Sequence, residues 1–278
     1  MIITPGEIKT AQFHQYLLGA ISPRPICFAS TVDLEGNMNL SPFSFFNVFG
    51  SKPPILIFSP ARRVRDNTIK HTLENALATK EVVINVVNYA MVQQMSLSSC
   101  EYPKGVNEFE KAGFTPVAST LVKPFRVKES PASFECKVLE VKETGEEGGA
   151  GNLIICEVVL MHLDDAVLNE QGQIDPHKID LVARMGGDYY CRASGASVFT
   201  VEKPNMQLGM GFDALPEKIR KSKVLTGNHL GQLANMTSIP EFDPAYQYEV
   251  NQGYHEDAKQ KLDQHQVGEA WQILLREK

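Results

Sequence analysis

Three short stretches carry side chains suited to a flat, polar-edged ring and an anion. The first is Asn39-Leu-Ser-Pro-Phe-Ser-Phe-Phe-Asn47. Ser41, Ser44 and Asn47 stand among Pro42, Phe43, Phe45, Phe46 and Phe49, and a ring-binding wall needs this mixture of flat apolar surface and a few donors and acceptors. A core strand whose hydroxyls satisfy its own backbone would carry the same letters. The second is Arg65-Asp-Asn-Thr68, read as the start of a helix with Asp66 or Asn67 as its N-cap. A helix start presents free N–H groups and a partial positive charge, and a guanidinium adds a planar fork for phosphate. Asn67 and Thr68 add donors, and Ser59, at the end of the preceding strand, adds another. An ordinary capped helix with solvated arginines fits the same letters. The third is Ser22-Pro-Arg-Pro25, where two prolines fix the backbone around Arg24.

Other chemistries find little support. The seven histidines are scattered and form no HExxH, and no Gly-rich loop of the GxGxxG or GxxxxGK kind occurs. No acid–base pair stands out, so no catalytic side chain is assigned. Five cysteines at 27, 100, 136, 156 and 191 make no CxxC pair, which argues against a disulfide framework or a metal site. Cys27, Cys136 and Cys156 lie in apolar-alternating runs and read as buried free thiols.

The elements that must position these residues follow from periodicity. Short apolar or alternating runs predict strands at 25–31, 38–49, 55–59, 81–87, 133–144 and 152–163. Turn residues at 32–37 and 145–151 predict hairpins. A helix is expected from Arg65, with Ile69, Leu73, Ala76 and Leu77 on one face, and another over 89–99. The stretch 101–119 reads as a loop. Beyond Thr200 the character becomes helical, over 215–236 and 257–277. The expected organisation is therefore a mainly β domain over 1–200 with flanking α-helices, and a helical C-terminal extension over 201–278. About six strands with hairpin links favour an antiparallel barrel over a parallel sheet.

The chain has 278 residues, 43% of them hydrophobic, enough for a substantial core. A net charge of −6 argues against nucleic acid, and the local cluster Arg62, Arg63, Arg65 suggests one bound anion rather than a polyanion. The N-terminus lacks the basic start and apolar run of a signal peptide, and no stretch approaches the roughly 18 apolar residues of a spanning helix. No membrane association and a cytoplasmic location are expected.

The order and spacing of Ser22-Pro-Arg-Pro-Ile26, Ala29-Ser-Thr-Val-Asp33, Gly36, Asn39 to Asn47, Pro53-Pro54 and Asp66-Asn-Thr68 resemble the flavin reductase-like family with an FMN-binding split barrel. The likeness continues through 81–85, 162–167 and 180–190, where Arg184-Met-Gly-Gly187 resembles an Arg-x-Gly-Gly segment of the family. It covers roughly residues 1–200. The resemblance implies a six-stranded antiparallel split β-barrel, a homodimer, and FMN near the subunit interface. It implies that Ser41, Pro42, Phe43, Ser44, Phe45 and Asn47 line the ring and ribityl chain. Arg65, Asn67 and Thr68, with Ser59, would hold the phosphate. Ser30 and Thr31 would lie near the flavin, and Arg24 would reach it or the neighbouring subunit. NADH or NADPH is the implied co-substrate. Many short reductases of the family carry Gly-Asp-His before the last long strand, where the imidazole helps place the nicotinamide. This chain reads Gly151-Asn152-Leu153, so the pyridine-nucleotide step is open while FMN binding is untouched. An FMN-binding protein with another redox partner is the alternative. His162, later on that strand, reads as structural.

Overall fold

The computed structural model describes residues 1–204 and 207–277. The chain divides into two compact units, Met1–Phe199 and Thr200–Lys278.

The first unit begins with helix α1 (Thr10–Ala20) and strand β1 (Cys27–Val32). A tight turn leads to β2 (Met38–Phe43), because the Asp33 carboxylate accepts from the amides of Glu35 and Asn37 while Gly36 takes a left-handed φ of 89°. Then follow β3 (Phe46–Ser51), β4 (Pro54–Phe58), α2 (His71–Thr79) and β5 (Glu81–Val86). Short helices α3 (Val92–Leu97) and α4 (Glu108–Ala112) come next, with a small hairpin of β6 (Pro116–Val117) and β7 (Arg126–Val127). The long hairpin β8 (Ala132–Glu143) and β9 (Asn152–Leu163) precedes α5 (Pro176–Ile179) and a hairpin of β10 (Val182–Arg184) and β11 (Tyr190–Arg192).

Seven strands form one antiparallel sheet in the order β2-β1-β5-β8-β9-β4-β3. The expected six become seven because the aromatic run 38–49 breaks at Ser44–Phe45. Its two halves then pair with different neighbours and become the two edges of an open sheet. One face buries Phe58, Leu73, Ile84, Cys136, Ile154 and their neighbours, and Leu73 and Ala76 dock α2 on it. A second cluster of Phe28, Leu40, Met91, Met95 and Phe109 packs beneath α3 and α4.

Two further expectations in this unit need correction. The helix foreseen from Arg65 starts at His71. Asp66 accepts from both the amide (3.1 Å) and the hydroxyl (2.6 Å) of Thr68, and Asn67 sits at a left-handed φ of 56°. This local turn competes with the helix for the same backbone groups. The stretch 101–119 is not all loop, since Asn107 caps α4 by accepting from the Phe109 amide and Gly113 ends it at φ 70°.

The second unit contains α6 (Glu217–Arg220), α7 (Gly227–Ala234), α8 (Tyr254–Asp263) and α9 (Val267–Leu274) around Leu233, Leu262, Trp271 and Ile273. Each of the two long helices expected here is a pair. Thr226 caps α7 afresh, and His265, at φ 58°, ends the run that α9 resumes.

Candidate functional site

The residues of the first and second stretches meet where β4 ends. The Ser59 amide donates to the Phe45 carbonyl at 2.9 Å. The Ser59 hydroxyl accepts from the Asn152 amide at 3.0 Å, and the Asn152 side chain donates to the Pro60 carbonyl at 2.7 Å. The loop 60–68 is then clasped by the β8–β9 turn. Arg62 exchanges two backbone hydrogen bonds with this turn, its amide donating to the Ala150 carbonyl and its carbonyl accepting from the Gly149 amide. Asn67 Nδ2 donates to the Glu146 carbonyl. The turn must be glycine-rich for steric reasons. A Cβ on Gly148 would lie 3.0 Å from the Arg63 carbonyl oxygen, and one on Gly151 would lie 3.0 Å from the Ser59 hydroxyl.

The loop gathers Arg62, Arg63 and Arg65, with Lys70 just beyond. Arg62 is structural, donating through Nε to the Asn67 side chain and through Nη2 to its carbonyl. Arg63 donates through Nη1 to the Thr68 hydroxyl and the Ile69 carbonyl. Its buried Nε makes no hydrogen bond, although Glu101 Oε1 lies 3.4 Å away. Arg65 is exposed and donates to Glu101 at 2.8 Å and to Asp66 at 3.1 Å. These bonds raise the Arg65 pKa, with Glu101 the larger cause, and Arg65 in turn lowers that of Glu101. The Thr68 hydroxyl and amide, then Arg65, hold the Asp66 carboxyl down to about 2. Burial and the nearby Arg63 charge lower the Lys70 pKa. This is a cationic loop with one buried N–H that makes no hydrogen bond and one exposed guanidinium held by carboxylates that solvent can reach. A phosphate fits such a donor set.

Ser41 and Phe43 are buried, Pro42 and Ser44 are half-buried, and Phe45 and Asn47 are exposed. A ligand therefore has access to Pro42, Ser44, Phe45 and Asn47. Ser30 and Thr31, expected near a flavin, are wholly enclosed. Thr31 belongs to a buried polar network in which Asn39 Oδ1 accepts from Thr31 and Thr72, and Asn75 donates to Thr31. Glu108 closes the network by accepting from Asn39 Nδ2 and the Leu40 amide, and burial raises its pKa. The Ser30 hydroxyl has no hydrogen-bond partner. The Arg24 side chain is also turned to structural use, donating to the carbonyls of Leu18, Ile21 and Met185 and, at 3.5 Å, to Ser44. These three residues act from behind the accessible surface rather than on it.

Several contributors escaped the sequence. Glu101 lies 36 residues from Arg65 and shows no periodic signal. The wall of a cavity of about 310 Å³ beside Ser44 is made by α3 and the β10–β11 hairpin. Only the Arg-x-Gly-Gly likeness hinted at that hairpin. His162 is structural as expected, with Nε2 2.6 Å from the buried Glu135 carboxylate, which also accepts from the amides of Thr120 and Leu121.

The chain is similar in sequence and fold to known proteins. An uncharacterized protein of Aquifex aeolicus is 40% identical over 182 residues, 66% of this chain and 90% of that protein. The crystal structure of nitrilotriacetate monooxygenase component B from Bacillus cereus is 27% identical, with a TM-score of 0.67 over 72% of this chain and 98% of that one. A Shewanella frigidimarina protein assigned as a flavin reductase with a split barrel domain is 27% identical, with a TM-score of 0.62 over 73% of this chain and 99% of that one. Residues 19–178, more than half of the sequence, match the flavin reductase like domain, and the chain belongs to that family.

Proposed function

We propose that the chain is an FMN-dependent oxidoreductase that takes hydride from NADH or NADPH and passes electrons to free flavin or another acceptor. One observation carries the FMN reading. The Ser59–Phe45 hydrogen bond sets the accessible wall of Pro42, Ser44, Phe45 and Asn47 against the cationic loop 60–68. Bound FMN would supply the redox chemistry, while the protein supplies position and field. In this reading Arg63, Arg65 and Thr68 hold the phosphate, with Arg62 and Asn67 fixing the loop around it. Ser44, Phe45 and Asn47 face the ring and ribityl chain. Exposed Val48 and Phe49 on the edge strand β3 support a homodimer with the flavin near its interface, since a second copy would cover them.

A second reading is an FMN protein that another reductant serves. Asn152 favours it. The side chain is wholly buried, and its Nδ2 is committed to the Pro60 carbonyl. It is in no position to replace a solvent-facing imidazole in placing a nicotinamide.

The test is an absorption spectrum of purified protein titrated with FMN, followed by anaerobic mixing with NADH and with NADPH. A protein that gains no flavin spectrum overturns both readings. Rapid bleaching of bound flavin supports the reductase, and unchanged colour supports the second reading.

A further inference from the structure

Two arginines of this fold are held firmly by carboxylates. Arg192 meets Asp180 through two hydrogen bonds of 2.7 and 2.8 Å. Arg65 meets Glu101 and Asp66. Arg24 and Arg184, by contrast, are brought together by the backbone, each amide donating to the other's carbonyl at 2.9 Å. Their charges repel, and burial and the Arg184 charge both lower the Arg24 pKa. The nearest carboxylate to Arg184, Asp188, is fully exposed and 3.9 Å away. Two like charges set side by side with so weak a counterion favour an added anion.

The two guanidiniums differ in availability. Arg24 is spent on backbone carbonyls. Arg184 donates through Nη2 to the Gly187 carbonyl at 2.7 Å and lies 4.7 Å from the centre of the Tyr190 ring. It is thereby held in one orientation, and its Nε and Nη1 donate to nothing among the described residues. Arg184, Asp188 and Tyr190 line the 310 Å³ cavity, together with Pro42, Ser44, Ser96 and Ser99. A cavity of this size takes a single substituted ring. Its walls offer apolar surface, three serine hydroxyls, one oriented guanidinium and one solvent-exposed carboxylate, Asp188.

We propose that this cleft is a binding site for a small ring compound bearing a carboxylate, with Arg184 receiving the carboxylate and the Ser44, Ser96 and Ser99 hydroxyls meeting polar ring substituents. Ser44 also belongs to the wall assigned to the flavin. Treating the cleft as the place of an electron donor or acceptor therefore rests on the proposed function, whereas recognition of a carboxylate does not.

Calorimetric titration of the full chain with benzoate, and with the neutral isostere benzamide, tests this, with and without FMN present. Benzoate is expected to bind at least about tenfold tighter than benzamide, the scale of one charge-assisted hydrogen-bonded pair. Arg184→Gln should erase that preference, and Arg184→Lys should retain part of it, with FMN binding unchanged in both variants. Equal binding of benzoate and benzamide, no binding of either, or a preference that survives Arg184→Gln overturns the proposal. Failure of FMN to bind, with the benzoate preference intact, overturns the flavin reading and leaves this one standing.

Discussion

The amide of Ser59 donates to the carbonyl of Phe45 at 2.9 Å, and the Ser59 hydroxyl accepts from Asn152 at 3.0 Å. One residue thus joins an edge turn, a strand end and the β8–β9 hairpin. Ser59→Ala leaves the buried Asn152 amide unpaired. The expected loss of stability is about 1–3 kcal/mol, read by urea denaturation. FMN affinity should fall by about two- to tenfold if the hydroxyl also donates to the ligand. Unchanged stability would show that water replaces the hydroxyl.

Glu101 occupies the guanidinium that a phosphate would use. Glu101→Gln is expected to tighten FMN by about two- to fivefold, the scale of an exposed ion pair, and to leave riboflavin unchanged. Arg65→Ala should weaken FMN and flatten its salt dependence. Flavin fluorescence titrations at two ionic strengths separate these outcomes. Equal effects on FMN and riboflavin would dissociate the loop from the phosphate.

The Glu108 carboxyl has a raised pKa because it is buried, although Leu40 and Asn39 donate to it. A carboxyl raised on folding favours the folded state fully below its ordinary range. That contribution is lost as pH rises through the folded value. Between pH 7 and pH 5 the chain should therefore gain stability relative to Glu108→Gln. The check is the difference between their unfolding free energies at the two pH values. Glu108→Ala, which strands two buried donors, should cost about 2–4 kcal/mol at either pH.

The thiols should divide by burial. Burial pushes Cys156 up to about 12 and holds Cys27 and Cys136 well above the ordinary range. Cys100 is exposed and Cys191 half-buried. A thiol-reactive disulfide reagent should titrate Cys100 first and Cys191 more slowly. The other three should react only on unfolding. Fast release of more than two equivalents from native protein would contradict the buried core.

Short apolar runs located β1, β4 and β5, and alternation located β8, since a half-buried strand writes its faces into the sequence while a fully buried one reads as a continuous apolar run. The clustering of Arg62, Arg63 and Arg65 with Asn67 and Thr68 was legible, but the local structure that holds them was not. Their letters suit a helix start, yet the Asp66 side chain draws the backbone into a turn, and propensity does not rank those two outcomes. The break at Ser44–Phe45 was hidden because both halves of 38–49 are good strands. Only their different partners separate them. Arg24 by its type, and Ser30 and Thr31 through the family resemblance, were expected beside the ligand; Arg24 and Thr31 are instead committed to hydrogen bonds within the fold and Ser30 is enclosed, and burial is a property of the fold. Pairs such as Arg65–Glu101 and Arg24–Arg184 join residues far apart in sequence, which no local pattern encodes.

The placing of β2 and β3 at opposite edges of one sheet bears on the order of folding. The β1–β2 and β3–β4 hairpins close short loops and can form early. Registering them against each other must wait for β5, β8 and β9 to fill the interval, and β4 pairs with β9 across about 100 residues, Ile57 facing Ile155. Closing so long a loop is slow. The Ser44–Phe45 link joins both edges, so the accessible wall of Pro42, Ser44, Phe45 and Asn47 is expected to be among the last parts of the chain to take shape. A ligand that recognises that wall together with the 60–68 loop selects chains whose sheet is already complete.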